Sequence, residues 1–379
     1  MVLVGSLNGR TWRLVFVAIV VATLGWACGS FKNGGSGGAG DGGAGPGDSA
    51  AGDDGSSHPG DSGTDGVAPG GDSGGGGGDA PSGDSPSGGD GGCGLTCGTN
   101  TEVFLYGGWE NQALGETWTF DGIAWSEHDG GASPAARFGA ATAPLHGAVV
   151  LFGGQDESST DHGDTWVWNG SAWSMAADAG PTPRENAVAA TLGTSVVLFG
   201  GEDSQGRFGD TWAWNGSAWS QRSAVGPSGR RGAAMAALGD QLVLFGGEDD
   251  NFEAQGDTWT WDGTTWTAQT PAHHPTARSF AVAATFGSTV VLFGGTSGPT
   301  LNETWTWDGT DWTQLAPTTP PDPRESSGIA TVNGKVVLFG GWDGAATFYD
   351  DTWFWDGAEW TAGSTLGPSF RAFPGMCGP

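Results

Sequence analysis

The amino-acid sequence predicts an all-β protein, a six-bladed β-propeller of four-stranded antiparallel blades whose closing blade is shared by the N- and C-terminal segments of the folded region. Three observations carry that expectation. From residue 101 onward the chain repeats itself with a period of 46 to 48, the spacing of a blade rather than of a helical repeat. Every unit holds short alternating or apolar runs separated by turn signals. The first and last units are fragments that complement one another.

The repeat has four fixed points. The second Gly of a Gly-Gly pair falls at Gly108, Gly154, Gly201, Gly247, Gly295 and Gly341. A Thr-Trp pair follows at Trp118, Trp166, Trp212, Trp259, Trp305 and Trp353, and seven residues beyond each stands another Trp, at 125, 173, 219, 266, 312 and 360. A Pro-x-x-Arg string ends each unit at Arg137, Arg184, Arg230, Arg278, Arg324 and Arg371. Within a unit the order of strands is a small-residue run such as Ala187 to Leu192, an apolar run such as Val196 to Phe199, the alternating Thr211 to Trp214, and a strand around Trp219. Asn-Gly or Asp-Gly precedes that last strand in all six units and reads as a two-residue hairpin turn needing positive φ. Strands this short with turns this regular leave radial repetition of four-stranded sheets as the architecture. Small residues suit the crowded innermost strands, and Trp suits the widening gap between blades, each ring burying roughly 150–250 Å². Seventeen of the 21 Trp therefore read as structural.

Closure follows from counting. Arg to the second Gly is 17 residues in every complete unit, yet the first unit lacks its opening strand and only eight residues follow Arg371. Residues 371–377 are expected to supply the inner strand to a blade built from 101–127. Cys377 and Cys97 then fall at one position of the blade, so the ends meet and Cys97–Cys377 is the expected disulfide, with a local Cys93–Cys97 bridge as the alternative. Pro374 and Gly375 make a poor strand, which a covalent staple would help.

Composition organises the rest. Residues 1–28 read as a signal peptide: Arg10 and Arg13 precede an apolar run, Leu14 to Leu24, too short to span a bilayer. Leu24-Gly25-Trp26-Ala27-Cys28 resembles a bacterial lipobox, with Leu four rather than three residues before the Cys, and implies lipidation at Cys28; cleavage nearby without lipid is the alternative. Residues 29–92 are nearly all Gly, Asp, Ser, Ala and Pro and read as a disordered, self-repelling tether, with the propeller over 93–379. The expected location is secreted, at the outer membrane or cell surface, with membrane contact only through the lipid. The formal charge is −29, and the folded part holds 32 acids against ten Lys plus Arg. Nucleic acid is an unlikely partner on that balance, and a monomer is expected.

The double Gly closing the second strand, the Trp of the fourth and the length of the unit resemble the kelch repeat, over residues 101–377. The usual Tyr before the last Trp is mostly Trp here. The resemblance implies a ligand-binding or protein-interaction propeller for carbohydrate or peptide. Loop spacing varies only between second and third strands and between blades, so one face carries the variation, and loops on a rigid scaffold carry function. After the Gly-Gly pairs stand Trp109, Gln155, Glu202, Glu248, Thr296 and Trp342. In peptide-binding kelch domains that position and the Arg opening the inner strand contact ligand, which implies Trp109, Trp342 and Arg137, Arg184, Arg230, Arg278, Arg324 and Arg371 as ligand-binding. The alternative for the Arg is an ion pair with a loop acid such as Asp156, Asp203, Asp249 or Asp343, and for the Trp pair a loop packed on itself.

No catalytic residue, cofactor or metal ligand set stands out. Kelch-type copper radical oxidases need two Tyr, two His and a cross-linked Cys; here the folded part has only Tyr106 and Tyr349 and no Cys within a blade, which excludes that chemistry. Resemblance to kelch mutarotases acting on sialic acid is the rival enzyme reading, on Arg184-Glu185 and Arg324-Glu325, where an Arg would hold a carboxylate and an acid shuttle a proton. The acids around Asp156–Asp164 and Asp249–Asp257 read either as solvated loops or as hard-cation ligands.

Overall fold

The computed structural model describes residues 102–222, 225–363 and 366–379. Those residues form six four-stranded antiparallel sheets, and no helix occurs among them. A complete blade runs outward from the axis in chain order: Val188–Leu192, Ser195–Phe199, Thr211–Trp214 and Trp219–Arg222. The second strands are the best buried, because both faces of each sheet are covered by neighbouring blades; Leu151, Leu198, Leu244, Leu292 and Leu338 are wholly enclosed.

The ends close the ring as the spacing predicts. Gly375–Cys377 is the inner strand beside Val103–Tyr106, with Cys377 opposite Phe104 and Gly375 opposite Tyr106. Thr117–Phe120 and Trp125–His128 complete that blade. Cys377 is buried, and burial pushes its thiol up to about 12. The expected partner Cys97 lies outside the described residues, as do Cys28, Cys93, the leader and the tether.

Three rings of hydrogen bonds tie blade to blade, and each explains a fixed point of the repeat. The fourth-strand Trp of every blade donates from Nε1 to the first Thr of the preceding blade's third strand, at 2.8–3.0 Å, from Trp173 to Thr117 round to Trp125 and Thr352. The second Gly of each pair donates its N–H to the carbonyl of the next blade's Arg, at 2.8–3.0 Å. The first Gly is obligatory for the same approach: a Cβ on Gly200 would lie 2.5 Å from the Arg230 carbonyl oxygen, and its φ is +72°. Around the axis, the second residue after each Arg donates its N–H to its counterpart one blade back. Gly139, Asn186, Gly232, Phe280, Ser326 and Phe373 thus make a closed circle at 2.7–3.0 Å, all six with φ between 55° and 64°. This circle rims one mouth of a central channel of about 410 Å³ walled by the Ala, Gly and Thr of the inner strands.

The hairpins before the fourth strands differ from expectation. Trp214 pairs with Trp219, so four residues, Asn215 to Ala218, make the turn. Gly216 has φ +97° while Asn215 does not have positive φ. Asn215 Oδ1 instead accepts the N–H groups of Ser217 and Ala218, and Asp121, Asn169, Asp262, Asp308 and Asp356 do the same in the other blades. The Asn or Asp is selected as an Asx-turn acceptor, not for left-handed backbone.

Candidate functional site

The six repeat Arg are brought to one level of the ring but not to a surface. Each is 1% exposed. In every blade Nε donates to the carbonyl two residues back, and Nη1 to the carbonyl of the first Gly of its own blade's pair, at 2.8–3.1 Å. The guanidinium then meets the acid two residues before the third-strand Trp: Arg137 with Asp164, Arg184 with Asp210, Arg230 with Asp257, Arg278 with Glu303, Arg324 with Asp351 and Arg371 with Glu116. In five blades that Trp donates Nε1 to the same carboxylate. Burial pushes Asp164, Asp210, Asp257 and Glu303 up, but the guanidinium and indole donors outweigh it and hold all four below the usual carboxylate range.

The Arg expected to face ligand are therefore committed to the frame. Their partners are also not the loop acids Asp156, Asp203, Asp249 and Asp343, whose Oδ1 atoms instead accept backbone N–H groups of their own loops. With Arg184 and Arg324 pointing into the frame, Arg184-Glu185 and Arg324-Glu325 do not form a clamp in which both groups share one ligand.

Around the mouth stands a belt of twelve positions, of which Glu185, Glu202, Ser279, Glu325 and Ala372 are buried and the rest reach the surface. The residue after each Gly-Gly is bridged across an antiparallel pair to the residue after the Arg of its own blade, giving Trp109 with Ala372, Gln155 with Phe138, Glu202 with Glu185, Glu248 with Arg231, Thr296 with Ser279 and Trp342 with Glu325. The same position also reaches the next blade. Trp109 lies edge to face on Phe138 at 5.1 Å, Gln155 Nε2 donates to Glu185 at 3.1 Å, and Glu202 pairs with Arg231 at 2.5 Å.

The belt is lopsided. Around the closing blade it is apolar, Trp342, Ala372, Trp109 and Phe138, and Phe138 continues through Phe373 to Phe280 over the axis at 6.1 and 5.6 Å. Across the mouth it is charged, with Glu185, Glu202, Glu248 and Arg231. A two-residue ladder, Glu202–Asp203 with Gly206–Arg207, exists in this one blade and delivers Arg207 to Glu248 at 2.6 Å. Trp109 and Trp342 occupy adjacent blades of the variable face, both half-buried. Each ring packs within its own surroundings, Trp342 stacking on Phe348 at 6.1 Å, and Ala372 lies between the two in the belt.

Of the belt positions after the Arg, only Glu185 and Glu325 were singled out in the sequence, as partners of the Arg before them and not as members of a rim. Their signal was variability: Phe138, Glu185, Arg231, Ser279, Glu325 and Ala372 stand at one point of an otherwise fixed repeat. Glu325 is the most perturbed of them. It is 7% exposed, its Oε2 is buried without a hydrogen-bond partner, and burial, opposed by Arg231 and reinforced by Glu248, pushes it up to about 7.

Among known families, one described as the KLHDC2/KLHL20/DRC7 Kelch-repeats domain matches residues 214–372. No curated protein matches the chain. The matched stretch runs from the end of one third strand to Ala372, just past Arg371, and the unmatched blades repeat its Arg, Gly-Gly and Trp positions in the same ring. Six such blades, closed by strands from both ends of the folded region, make this chain a kelch-repeat β-propeller, a fold that points to an interaction module.

Proposed function

We propose that the propeller is a surface-displayed binding module that takes a carbohydrate or peptide ligand on the belt around the Gly-Gly mouth. The observation that carries this reading is the belt itself. Twelve positions at a rigid rim vary from blade to blade, while the Arg, acid, Gly and Trp of every blade are committed to the frame. Trp109 and Trp342 are the belt's large aromatic groups, suited to a sugar ring or an apolar peptide side chain. The six Arg play no direct part; they hold the rim in place.

A glycan and peptide array probed with the purified protein tests the class of ligand. Trp109→Ala with Trp342→Ala should keep the fold, because Gln155, Glu202, Glu248 and Thr296 stand at those positions in the other blades. Binding of an array hit should fall about fivefold or more, the scale of a truncated aromatic anchor. Undiminished binding would remove the mouth as the site.

Display rests on Cys28, which we propose carries lipid and anchors the protein at the outer membrane or cell surface. Cys28→Ala should move the protein from the membrane fraction to the soluble one, and identical fractionation would sink the anchor.

A further inference from the structure

The charges of the described residues leave the mouth with a sign. Of the ten Lys and Arg in the folded part, six are locked beneath the rim. Arg231 spends Nε, Nη1 and Nη2 on Glu248 and Glu202, and Arg207 binds Glu248. Arg222 and Lys335 are the cations left outside such pairs, against 32 acids. A carboxylate or phosphate approaching the mouth would find no uncommitted Arg there and a strongly acidic surface around it.

Within the belt one place is chemically unfinished. The other belt acids have partners: Glu185 accepts from Gln155 and Asn186, and Glu202 and Glu248 bind Arg231. Glu325 differs, because its Oε2 is buried and unpartnered. Directly opposite it across the antiparallel bridge is Trp342, so the two side chains project from the same face. The Nε1 of Trp342 is also buried without an acceptor, and so is Oγ of the adjoining Ser326, itself a member of the circle around the axis. An acid oxygen, a hydroxyl and an indole N–H, all unmet, thus belong to one blade at the mouth. Buried polar groups normally find partners, and an acid left without one opposite an equally unmet indole marks a place for a missing group.

The complement of this set is a group with several charged N–H donors attached to a chain that also offers a carbonyl. An ammonium or guanidinium donates to Glu325 and Ser326, its stem or planar head lies against the Trp342 ring, and a peptide carbonyl accepts from the indole. We propose that the mouth recognises a basic peptide segment, with a Lys or Arg side chain seated at Glu325 and Trp342. This deepens the reading of the mouth as a ligand site and rests on it. The partner is a cationic protein segment rather than an anionic one, and Glu325 supplies the selectivity.

Fluorescence anisotropy at physiological salt, using the purified full chain, decides it. Fluorescein-labelled penta-arginine, penta-lysine and penta-glutamate peptides and a labelled glucosamine hexamer are the probes. Penta-arginine or penta-lysine should bind, penta-glutamate should not, and Glu325→Gln should weaken the basic probes about tenfold or more. Glu127→Gln, which removes the same charge from the exposed fourth strand of the closing blade, should change them less than about twofold. Equal effects of the two substitutions would mean binding by diffuse surface charge and would overturn the proposal. Glu325-dependent binding of the glucosamine hexamer alone would replace the peptide with a cationic sugar and would overturn it too. An array ligand lost on Trp109→Ala with Trp342→Ala but indifferent to Glu325→Gln would overturn the cation site while leaving the mouth as ligand site. Penta-arginine or penta-lysine binding untouched by any of these substitutions would remove both.

Discussion

Neutralising Glu325 should stabilise the protein above neutral pH while leaving it nearly unchanged in mild acid. The carboxyl is pushed from its ordinary value of 4.5 to about 7 in the folded state, chiefly by burial. Arg231 and Glu248 are the charged groups facing it and pull in opposite directions. Below pH 4.5 both the folded and unfolded chains hold the proton, and no penalty arises. Between 4.5 and about 7 the unfolded chain releases it and the folded chain does not, so stability falls as pH rises; above 7 the whole penalty persists. A shift of this size corresponds to about 3 kcal/mol as an upper figure, and for a domain of this size that is a melting-temperature difference of roughly 5–10 °C. Thermal melts of wild type and Glu325→Gln at pH 5.0 and 8.5 isolate the contribution, because every other titrating group is common to both proteins and cancels in the double difference. The variant should gain on wild type several times more at the higher pH than at pH 5.0, where only a small part of the penalty has developed. A parallel pH dependence in the two proteins would show that Glu325 ionises normally and would refute the buried, unpartnered carboxyl.

Three further outcomes follow from the frame. Arg184→Met should cost about 3–5 kcal/mol because Asp210 keeps its charge with only the Trp212 indole as partner, whereas Arg184→Met combined with Asp210→Leu should cost distinctly less; urea unfolding of the four proteins of that cycle checks it. Asp164, Asp210, Asp257 and Glu303 all lie below their ordinary range, so their stabilisation is complete above about pH 4 and is lost as pH falls through the lowered values. Together with Glu325 this puts the stability maximum in weak acid, near about pH 5, which a melting series across pH reads directly. Truncation after Gly367 removes Arg371 and the strand Gly375–Cys377, and should melt the entire ring cooperatively rather than fray one blade; an unchanged melting temperature would contradict closure by the C-terminal strand.

The ring was legible in the sequence because its constraints are local and repeated six times. Gly-Gly, Trp and Arg recur at fixed spacing since each meets the same neighbour in every blade, and the closing blade could be read from what the first and last units lacked. The Arg–acid pairs were in principle equally legible: Glu116, Asp164, Asp210, Asp257, Glu303 and Asp351 stand two residues before each third-strand Trp. An invariant acid matched to an invariant Arg is the pattern of a frame contact, and looking for partners among the variable loops led to the wrong acids. The turn was misread because Asn-Gly satisfies two rules at once; the side chain of Asn215 as an acceptor and the left-handed backbone of a two-residue hairpin leave the same two letters. The pairing of Glu325 with Trp342 could not be read, since it depends on which blade faces which and on what lies beneath them.

A scaffold with six equivalent blades has no preferred direction of its own, and its frame contacts are the same at every sixty degrees or so of the ring. Direction enters only through the twelve belt positions. Trp342, Trp109 and Phe138 make one side apolar, while Glu185, Glu202, Arg231 and Glu248 make the other charged, and Glu325 shares the blade of Trp342, with the Ser279–Thr296 blade between it and the charged side. A ligand with a cationic end and an apolar or aromatic remainder can satisfy that arrangement in one orientation; a uniformly charged or uniformly apolar one gains on one side what it loses on the other. Because the Arg beneath the belt are 1% exposed and hydrogen-bonded on both sides, the rim stays fixed while the residues on it differ from blade to blade. On the proposed reading, specificity is a property of asymmetry imposed on a symmetric support, and Glu325, the one belt acid with an oxygen left unmet, is the position that reading tests.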